Sequence, residues 1–146
     1  MSIEEGTAAP GFSAQTDSGK TVSLSDFKGK TVVLYFYPKD DTPGCTTEAC
    51  AFRDNLPAYD KKNAVILGVS TDDVSSHAAF KSKYKLPFAL LADPDRTICR
   101  AYDVLKKEGG SAGRRTFVIG PDGRIRKIFP TVKVDGHFKE VLAAIG

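Results

Sequence analysis

Two cysteines five residues apart, Cys45 and Cys50, follow the segment Pro38–Gly44, which reads PKDDTPG. An apolar stretch over residues 31–37, typical of a buried strand, precedes this segment, and the residues after it favour a helix that begins near Pro43. A thiol in the first turn of a helix lies near unpaired backbone N–H groups and the positive end of the helix dipole. Both stabilise a thiolate, the nucleophilic form of cysteine. The spacing therefore predicts a redox-active Cys45 with a resolving thiol close behind.

Thr42 and Pro43 are expected to begin this helix. Threonine is a favourable N-cap residue, and proline suits the first helical position because an N–H there would have no partner. Cys45 and Cys50 then share one helix, in which residues five apart have Cα atoms roughly 8.6 Å apart and point about 140° away from each other. Since a disulfide needs Cα atoms within about 7 Å, joining the two cysteines is expected to unwind the start of the helix.

Glu48 lies three residues after Cys45, on the same side of the predicted helix. Its negative charge alone would oppose a thiolate, so the site needs a cation from elsewhere in the fold. Arg114 and Arg115, at the start of a late strand, can supply one, because a guanidinium has several donors and can contact a sulfur and a carboxylate together. Two solvated arginines at a strand edge are the competing interpretation. Cys99, between Ile98 and Arg100, is expected to be a buried structural thiol rather than a second resolving cysteine.

The bulk composition bounds the function. A chain of 146 residues with 41% hydrophobic and 27% charged residues is expected to form one domain, residues 1–146. The net charge is +3 and no run of Lys or Arg exceeds two residues, so no nucleic-acid partner is expected. The N-terminus is polar and acidic, and no apolar stretch approaches the length of a membrane span. We therefore expect a cytoplasmic protein that binds no membrane. Three cysteines are too few for a disulfide scaffold.

The remaining elements alternate between strands and helices. Two short strands within residues 12–24 predict a hairpin, and Gly120–Gly123 predicts another. In the helix over residues 73–85, Val74, Ala78, Phe80 and Tyr84 are candidates for the buried face. The alternation predicts an α/β fold with a mixed central sheet, helices on both faces and an N-terminal β-hairpin extension. Further strands are predicted over 64–70, 88–91, 115–119 and 124–129, and further helices from 43 to about 56, over 95–102 and over 134–145.

These residues resemble the peroxiredoxins of the Q type, also called the bacterioferritin comigratory protein subfamily. The family signature Pro-x-x-x-Thr-x-x-Cys is met by Pro38, Thr42 and Cys45, and Cys50 matches the resolving cysteine that many members carry. The resemblance covers about residues 7–142 and implies a thioredoxin-like fold. It also extends to the segments Phe36–Pro38, Cys45–Cys50, Phe52–Asp54 and Thr116–Ile119.

The resemblance implies a thiol peroxidase. Cys45 would attack the peroxide, Thr42 would bind it, and Pro38 would shield the pocket from water. The family spacing of three residues before the strand aromatic selects Arg114, which would stabilise the thiolate while Glu48 positions it.

Cys50 would then form an intramolecular disulfide with Cys45, which thioredoxin or a glutaredoxin-type donor would reduce. The resemblance implies no metal, haem or flavin. A monomer is expected, because an intramolecular disulfide needs no partner subunit.

Three other functions compete with this interpretation. A protein thiol–disulfide oxidoreductase typically carries Cys-x-x-Cys, and the sequence has no such spacing. A cysteine hydrolase needs a histidine base beside the nucleophile, and the two histidines, His77 and His137, are expected at the surface of helices. A metal- or thiol-binding module could draw on Asp40 and Asp41 beside the cysteines, although no spacing matches a structural zinc site.

Overall fold

The computed structural model describes residues 3–107 and 109–145. Strands and helices alternate along this part of the chain, and a 3₁₀ turn at Leu24–Phe27 was not expected from the sequence. The strands are β1 (Ser13–Gln15), β2 (Thr21–Ser23), β3 (Thr31–Phe36), β4 (Ala64–Ser70), β5 (Ala89–Ala92), β6 (Arg115–Ile119) and β7 (Ile125–Phe129). The helices are α1 (Pro43–Asp54), α2 (Leu56–Asp60), α3 (Val74–Tyr84), α4 (Thr97–Ala101) and α5 (His137–Ile145).

The central sheet has five strands in the order β5-β4-β3-β6-β7. Strands β3, β4 and β5 are parallel, whereas β6 pairs antiparallel with both β3 and β7. Strands β1 and β2 form a separate antiparallel hairpin. The predicted mixed sheet and the N-terminal hairpin are therefore confirmed. In the described part of the chain, no helix is both long enough and apolar enough to cross a membrane.

Strand β3 is buried along its whole length because both faces of the sheet are covered. Side chains alternate across a strand, so Val33 and Tyr35 enter one core and Val32 and Leu34 enter the other. The first core is closed by helices α1, α2, α3 and α5, and the second by α4 and the N-terminal hairpin. Because β3 is the middle strand of the sheet and is fully buried, the loop that follows it starts from a well-packed position.

One helix boundary agrees with the sequence prediction and another differs from it. Helix α1 ends at Asp54 and α2 begins at Leu56, so the expected break near Leu56 is confirmed, with Pro57 in the first turn of α2. Helix α5 begins at His137, three residues later than predicted. Gly136 precedes it with φ +80, a left-handed conformation that a regular helix does not contain.

The buried face of α3 was only partly predicted. Phe80 is buried and Tyr84 packs against the same core, as expected, and Val74 is half-buried. Ala78 is exposed, and the buried position in that turn belongs to its neighbour His77. The prediction favoured the apolar Ala78, but α3 buries the imidazole of His77 instead, where it contacts Asp40 and the carbonyl of Leu91.

Gly68 in β4 offers a test of how tightly this core is packed. A Cβ atom at this position would lie 2.9 Å from Leu90 Cδ2 and equally close to two atoms of Tyr35. Overpacking of this kind costs about 1–3 kcal/mol, so we expect Gly68→Ala to lower the free energy of unfolding by that amount in urea denaturation. Gly11→Ala is the matched control, since a Cβ there meets nothing within 4 Å. Equal stability of the two variants would contradict the packing argument.

Candidate active site

Cys45 lies in the first turn of α1, as the sequence predicted. Thr42 is the N-cap residue and Pro43 occupies the first turn, and the backbone N–H of Thr46 donates to the carbonyl of Thr42 over 2.8 Å. The hydroxyl of Thr42 does not cap the helix. It donates instead to the carbonyl of Lys39 over 2.8 Å, which folds the loop before the helix into a tight turn. The backbone N–H groups in the first turn of α1 therefore donate no hydrogen bond to the side chain of Thr42, because that hydroxyl points to Lys39.

The guanidinium of Arg114 joins two buried groups of α1. Its Nη2 donates to Cys45 Sγ over 3.2 Å, and its Nη1 donates to Glu48 Oε1 over 2.7 Å. Gly44 leaves the space that this requires, because a Cβ there would lie 3.1 Å from Arg114 Nη2. Sequence reasoning missed the role of Gly44, although its place between Pro43 and Cys45 was a usable signal. The arrangement sets a fixed cation directly against the sulfur.

Burial decides the electrostatics of this cluster. Cys45 and Glu48 are each 1% exposed. Burial raises the pKa of Glu48 from its ordinary 4.5 to about 7, against the opposing charge and hydrogen bond of Arg114. Burial disfavours the charged form of Arg114, but its bonds to Cys45 and Glu48 outweigh this and raise the pKa of Arg114. One carboxylate oxygen, Oε2 of Glu48, is buried without a hydrogen-bond partner among the described residues.

The register of β6 explains which arginine reaches the sulfur. Arg115 is the first residue of β6 and lies opposite Phe36 of β3, so its side chain leaves the sheet on the face away from α1. Its guanidinium donates to the carbonyl of Asp103 over 3.1 Å. Arg114, one residue earlier, lies on the α1 side. The two possibilities left open by charge alone are therefore separated by strand alternation.

The other cysteines lie apart from this cluster. Cys50 is half-buried on the same continuous helix as Cys45, and Cys45, Cys50 and Cys99 are all free thiols. Cys99 is fully buried in the second core, and burial followed by the nearby Asp93 raises the pKa of its thiol. The expectation that Cys99 is buried is confirmed. Pro38, also a predicted site residue, is half-buried in the turn that follows β3.

The expectation of surface histidines is wrong, since the side chains of His77 and His137 are 0% and 1% exposed. His137 Nε2 lies 2.8 Å from the Thr116 hydroxyl, and burial lowers the pKa of His137. His77 Nδ1 lies 2.7 Å from Asp40 Oδ2, a contact that no sequence pattern indicated. Neither ring is the partner of Cys45, so the histidine base of a cysteine hydrolase is not in place.

The two aspartates of the metal-binding alternative, Asp40 and Asp41, contact groups other than the cysteines. Asp40 accepts hydrogen bonds from Tyr37 and from α3, and Asp41 accepts from Lys83 and Tyr84. The structure thus brings together Cys45, Glu48 and Arg114, with Thr42 on the adjoining turn, and does not gather the aspartates around the cysteines. This arrangement can present a small electrophile to the Cys45 sulfur, which lies against the guanidinium of Arg114.

The chain is similar to known proteins along nearly its whole length. The model of the AhpC/TSA family matches residues 6–128. Peroxiredoxin Bcp of Bacillus subtilis is 48% identical over 151 residues, covering 99% of this chain and 96% of that protein.

Two solved structures share its shape. A cysteine-to-serine mutant of PrxQ from Xylella fastidiosa superposes with a TM-score of 0.92 at 38% identity, covering 98% of this chain and 95% of that one. A structure on the alkyl peroxide reduction activity of the bacterioferritin comigratory protein of Xanthomonas campestris has a TM-score of 0.90 at 38% identity and covers 97% of each chain. The thioredoxin-like fold expected from the sequence is thereby confirmed. The chain belongs to the AhpC/TSA family and is a peroxiredoxin of the Bcp, or Q, group, a thiol peroxidase.

Proposed function

We propose that this peroxidase works through Cys45 as the peroxidatic cysteine and Cys50 as the resolving cysteine. The observation that carries the proposal is the 3.2 Å contact between Arg114 Nη2 and Cys45 Sγ at the start of α1. A cationic donor and the helix N-terminus both favour the thiolate over the thiol. Cys45 is 1% exposed, so a small peroxide suits the site better than the disulfide of a protein substrate.

The first step is a displacement at oxygen. The Cys45 thiolate attacks the distal oxygen of the peroxide, an S–O bond forms and the O–O bond breaks. The sulfur is oxidised to a sulfenic acid, and the departing alkoxide or hydroxide takes a proton to leave as alcohol or water. Charge develops on the two separating oxygens, and fixed donors aimed at them lower the barrier. Arg114 supplies such a donor, since its hydrogen bond to Glu48 keeps its plane in one orientation.

Thr42 and Pro38 complete the proposed pocket. The Thr42 hydroxyl lies on the turn that leads into α1 and donates its proton to the backbone carbonyl of Lys39. A lone pair of its oxygen can therefore accept a hydrogen bond from the bound peroxide. Pro38 has no N–H and fills the turn beside it, which favours exclusion of water. Hydrogen peroxide and organic hydroperoxides are the proposed substrates, in line with the activity named for the Xanthomonas campestris protein.

Cys50 then attacks the sulfenic sulfur, an S–S bond forms, and the oxygen leaves as water. Because both residues belong to α1, this step requires the helix to open between them. Thiol–disulfide exchange with a dithiol donor of the thioredoxin or glutaredoxin type returns both thiols. The cycle needs one chain and a reducing compartment, so we propose a monomer that acts in the cytoplasm.

The two-cysteine cycle can be tested by intact mass with thiol counting after one equivalent of hydrogen peroxide. Wild type is expected to lose two hydrogens rapidly, because Cys50 captures the sulfenic acid. Cys50→Ser should instead gain one oxygen, and Cys45→Ser should not react on this timescale. Cys99→Ser is the matched control and should behave as wild type, since Cys99 is buried in the other core. A disulfide that involves Cys99 would contradict the assigned resolving step.

Opening of α1 on oxidation can be tested by backbone amide chemical shifts. We expect large changes over residues 44–52 when the disulfide forms, because the Cα separation in a helix is too long for the bond. Amides of α4 should keep their shifts, since that helix lies on the opposite face of the sheet. Unchanged shifts over residues 44–52 in fully oxidised protein would contradict the opening.

The environment of Glu48 predicts a pH-dependent stability. Its pKa is raised to about 7, so the folded state binds this proton more tightly than the unfolded state, and the resulting stabilisation is lost as pH rises from about 4.5 through 7. Glu48→Gln removes this effect. From pH 4.5 to 7, the free energy of unfolding of Glu48→Gln should therefore rise relative to that of wild type, by an amount on the order of 1–3 kcal/mol.

Urea denaturation at a series of pH values measures this difference. Asp60→Asn, a change at an exposed carboxylate at the end of α2, is the matched control and should keep the wild-type slope. A difference between Glu48→Gln and wild type that stays constant from pH 4.5 to 7 would contradict the burial argument.

A further inference from the structure

A buried ion pair joins α3 to the loop that precedes Cys45, and it has no part in the cycle described above. His77 Nδ1 in α3 and Asp40 Oδ2 in the loop after β3 are 2.7 Å apart, with side chains 0% and 4% exposed. Buried charges of this kind are costly unless they are fully paired, and losing one partner leaves the other uncompensated. The pair therefore fixes the distance between the loop and α3.

The neighbours of His77 define its protonation. Nε2 lies 2.9 Å from the carbonyl oxygen of Leu91, which can only accept a hydrogen bond. Nδ1 faces a carboxylate that already accepts from the hydroxyls of Tyr37 and Ser76. A ring with acceptors at both nitrogens carries a proton on each. Burial opposes this charge, but the hydrogen bond and charge of Asp40 outweigh it and raise the pKa of His77.

The loop that carries Asp40 is fixed at further points. The backbone N–H of Asp40 donates to Asp72 Oδ2 over 2.8 Å at the end of β4. Asp41 has φ 56, a conformation that non-glycine residues adopt only when surrounding contacts hold them there. Its carboxylate accepts from Lys83 Nζ over 2.8 Å and from Tyr84 Oη over 2.7 Å, both in α3. Only one residue then separates this anchored segment from α1.

We propose that Asp40 and His77 are positioning residues for the reaction of Cys45 with peroxide. Their ion pair holds the turn over residues 38–42 against α3, and so holds the Thr42 hydroxyl in place relative to the sulfur. Neither residue contacts the reacting atoms. The inference rests on the proposed function, because it takes Cys45 as the thiol that reacts and Thr42 as the group that orients the peroxide.

The chemistry separates two effects on Cys45. Nucleophilicity of the sulfur depends on Arg114 and on the helix N-terminus, and the ion pair shares no hydrogen bond with Arg114. Orientation of the peroxide depends on Thr42, and a misplacement of about 1 Å from a change outside the chemistry can cost on the order of 100-fold in rate. Loss of the pair should therefore slow oxidation by peroxide and spare alkylation by iodoacetamide, which does not need that orientation.

The test compares these two rates in wild type, Asp40→Asn, His77→Gln and the double variant, by quenched-flow mass spectrometry of Cys45. We expect a fall of about 10- to 100-fold in the second-order rate constant with hydrogen peroxide, and a change below about threefold in the iodoacetamide rate. Ile98→Ala is the matched control. It empties a buried site in the second core, so it lowers stability without touching the loop and should leave both rates as in wild type.

Each other outcome overturns a defined statement. Folded variants whose peroxide rate equals that of wild type overturn the positioning role, as does a parallel fall of both rates that follows the unfolded fraction measured by circular dichroism. Nitrogen-15 shifts of the His77 ring in wild type test the ion pair even where a variant does not fold, and a neutral ring at pH 7 overturns it. Slow oxidation of Cys45 in wild type itself would instead contradict the proposed function.

Discussion

The site depends on one interaction, the bridge that the Arg114 guanidinium makes between the sulfur of Cys45 and the carboxylate of Glu48. Both groups are acidic and both are buried on the same face of α1, so without a cation the fold would bury two groups that repel each other when charged. The surrounding structure meets this requirement. Strand β6 runs antiparallel beside β3 and delivers an arginine to the start of α1, and Gly44 leaves room for it.

In the proposed cycle, the helix that favours the Cys45 thiolate must also open before the disulfide with Cys50 can form. Helix α1 places Cys45 among its unpaired N–H groups, yet its continuity keeps Cys50 on another side. The two halves of α1 differ in how firmly they are held. Pro43 lacks an N–H, and the N–H groups of the first turn have no partner within the helix, so opening the helix from its start breaks few hydrogen bonds. The second half is held more firmly, by the buried Phe52 and by the bond from Arg53 to the Tyr84 carbonyl.

Much of the fold and of the site was predictable from the sequence, because the signals were local. The apolar stretch of β3, the Thr–Pro helix start and the spacing to Cys45 each act within a few residues of one another. The choice of Arg114 over Arg115 came from the family spacing to Phe117, and the register of β6 agrees with it. The histidines were predicted wrongly because their burial depends on distant partners, such as Asp40, which lies 37 residues before His77. A polar residue on a helix is expected to face solvent until its buried partner is known.

The proposed cycle requires the chain before Thr42 to stay fixed and the helix after Thr42 to open. Upstream, Asp40 and Asp41 are tied to α3 and to the end of β4 by side-chain bonds that do not involve α1. Downstream, residues 43–50 contain the helical bonds that must be lost when the sulfurs meet. Since none of the upstream bonds involves a residue of α1, the turn that carries Thr42 can stay in place while the helix opens and closes beside it. In the proposed cycle, the helix then re-forms on the same base, which restores the contact between Cys45 and Arg114 for the next turnover.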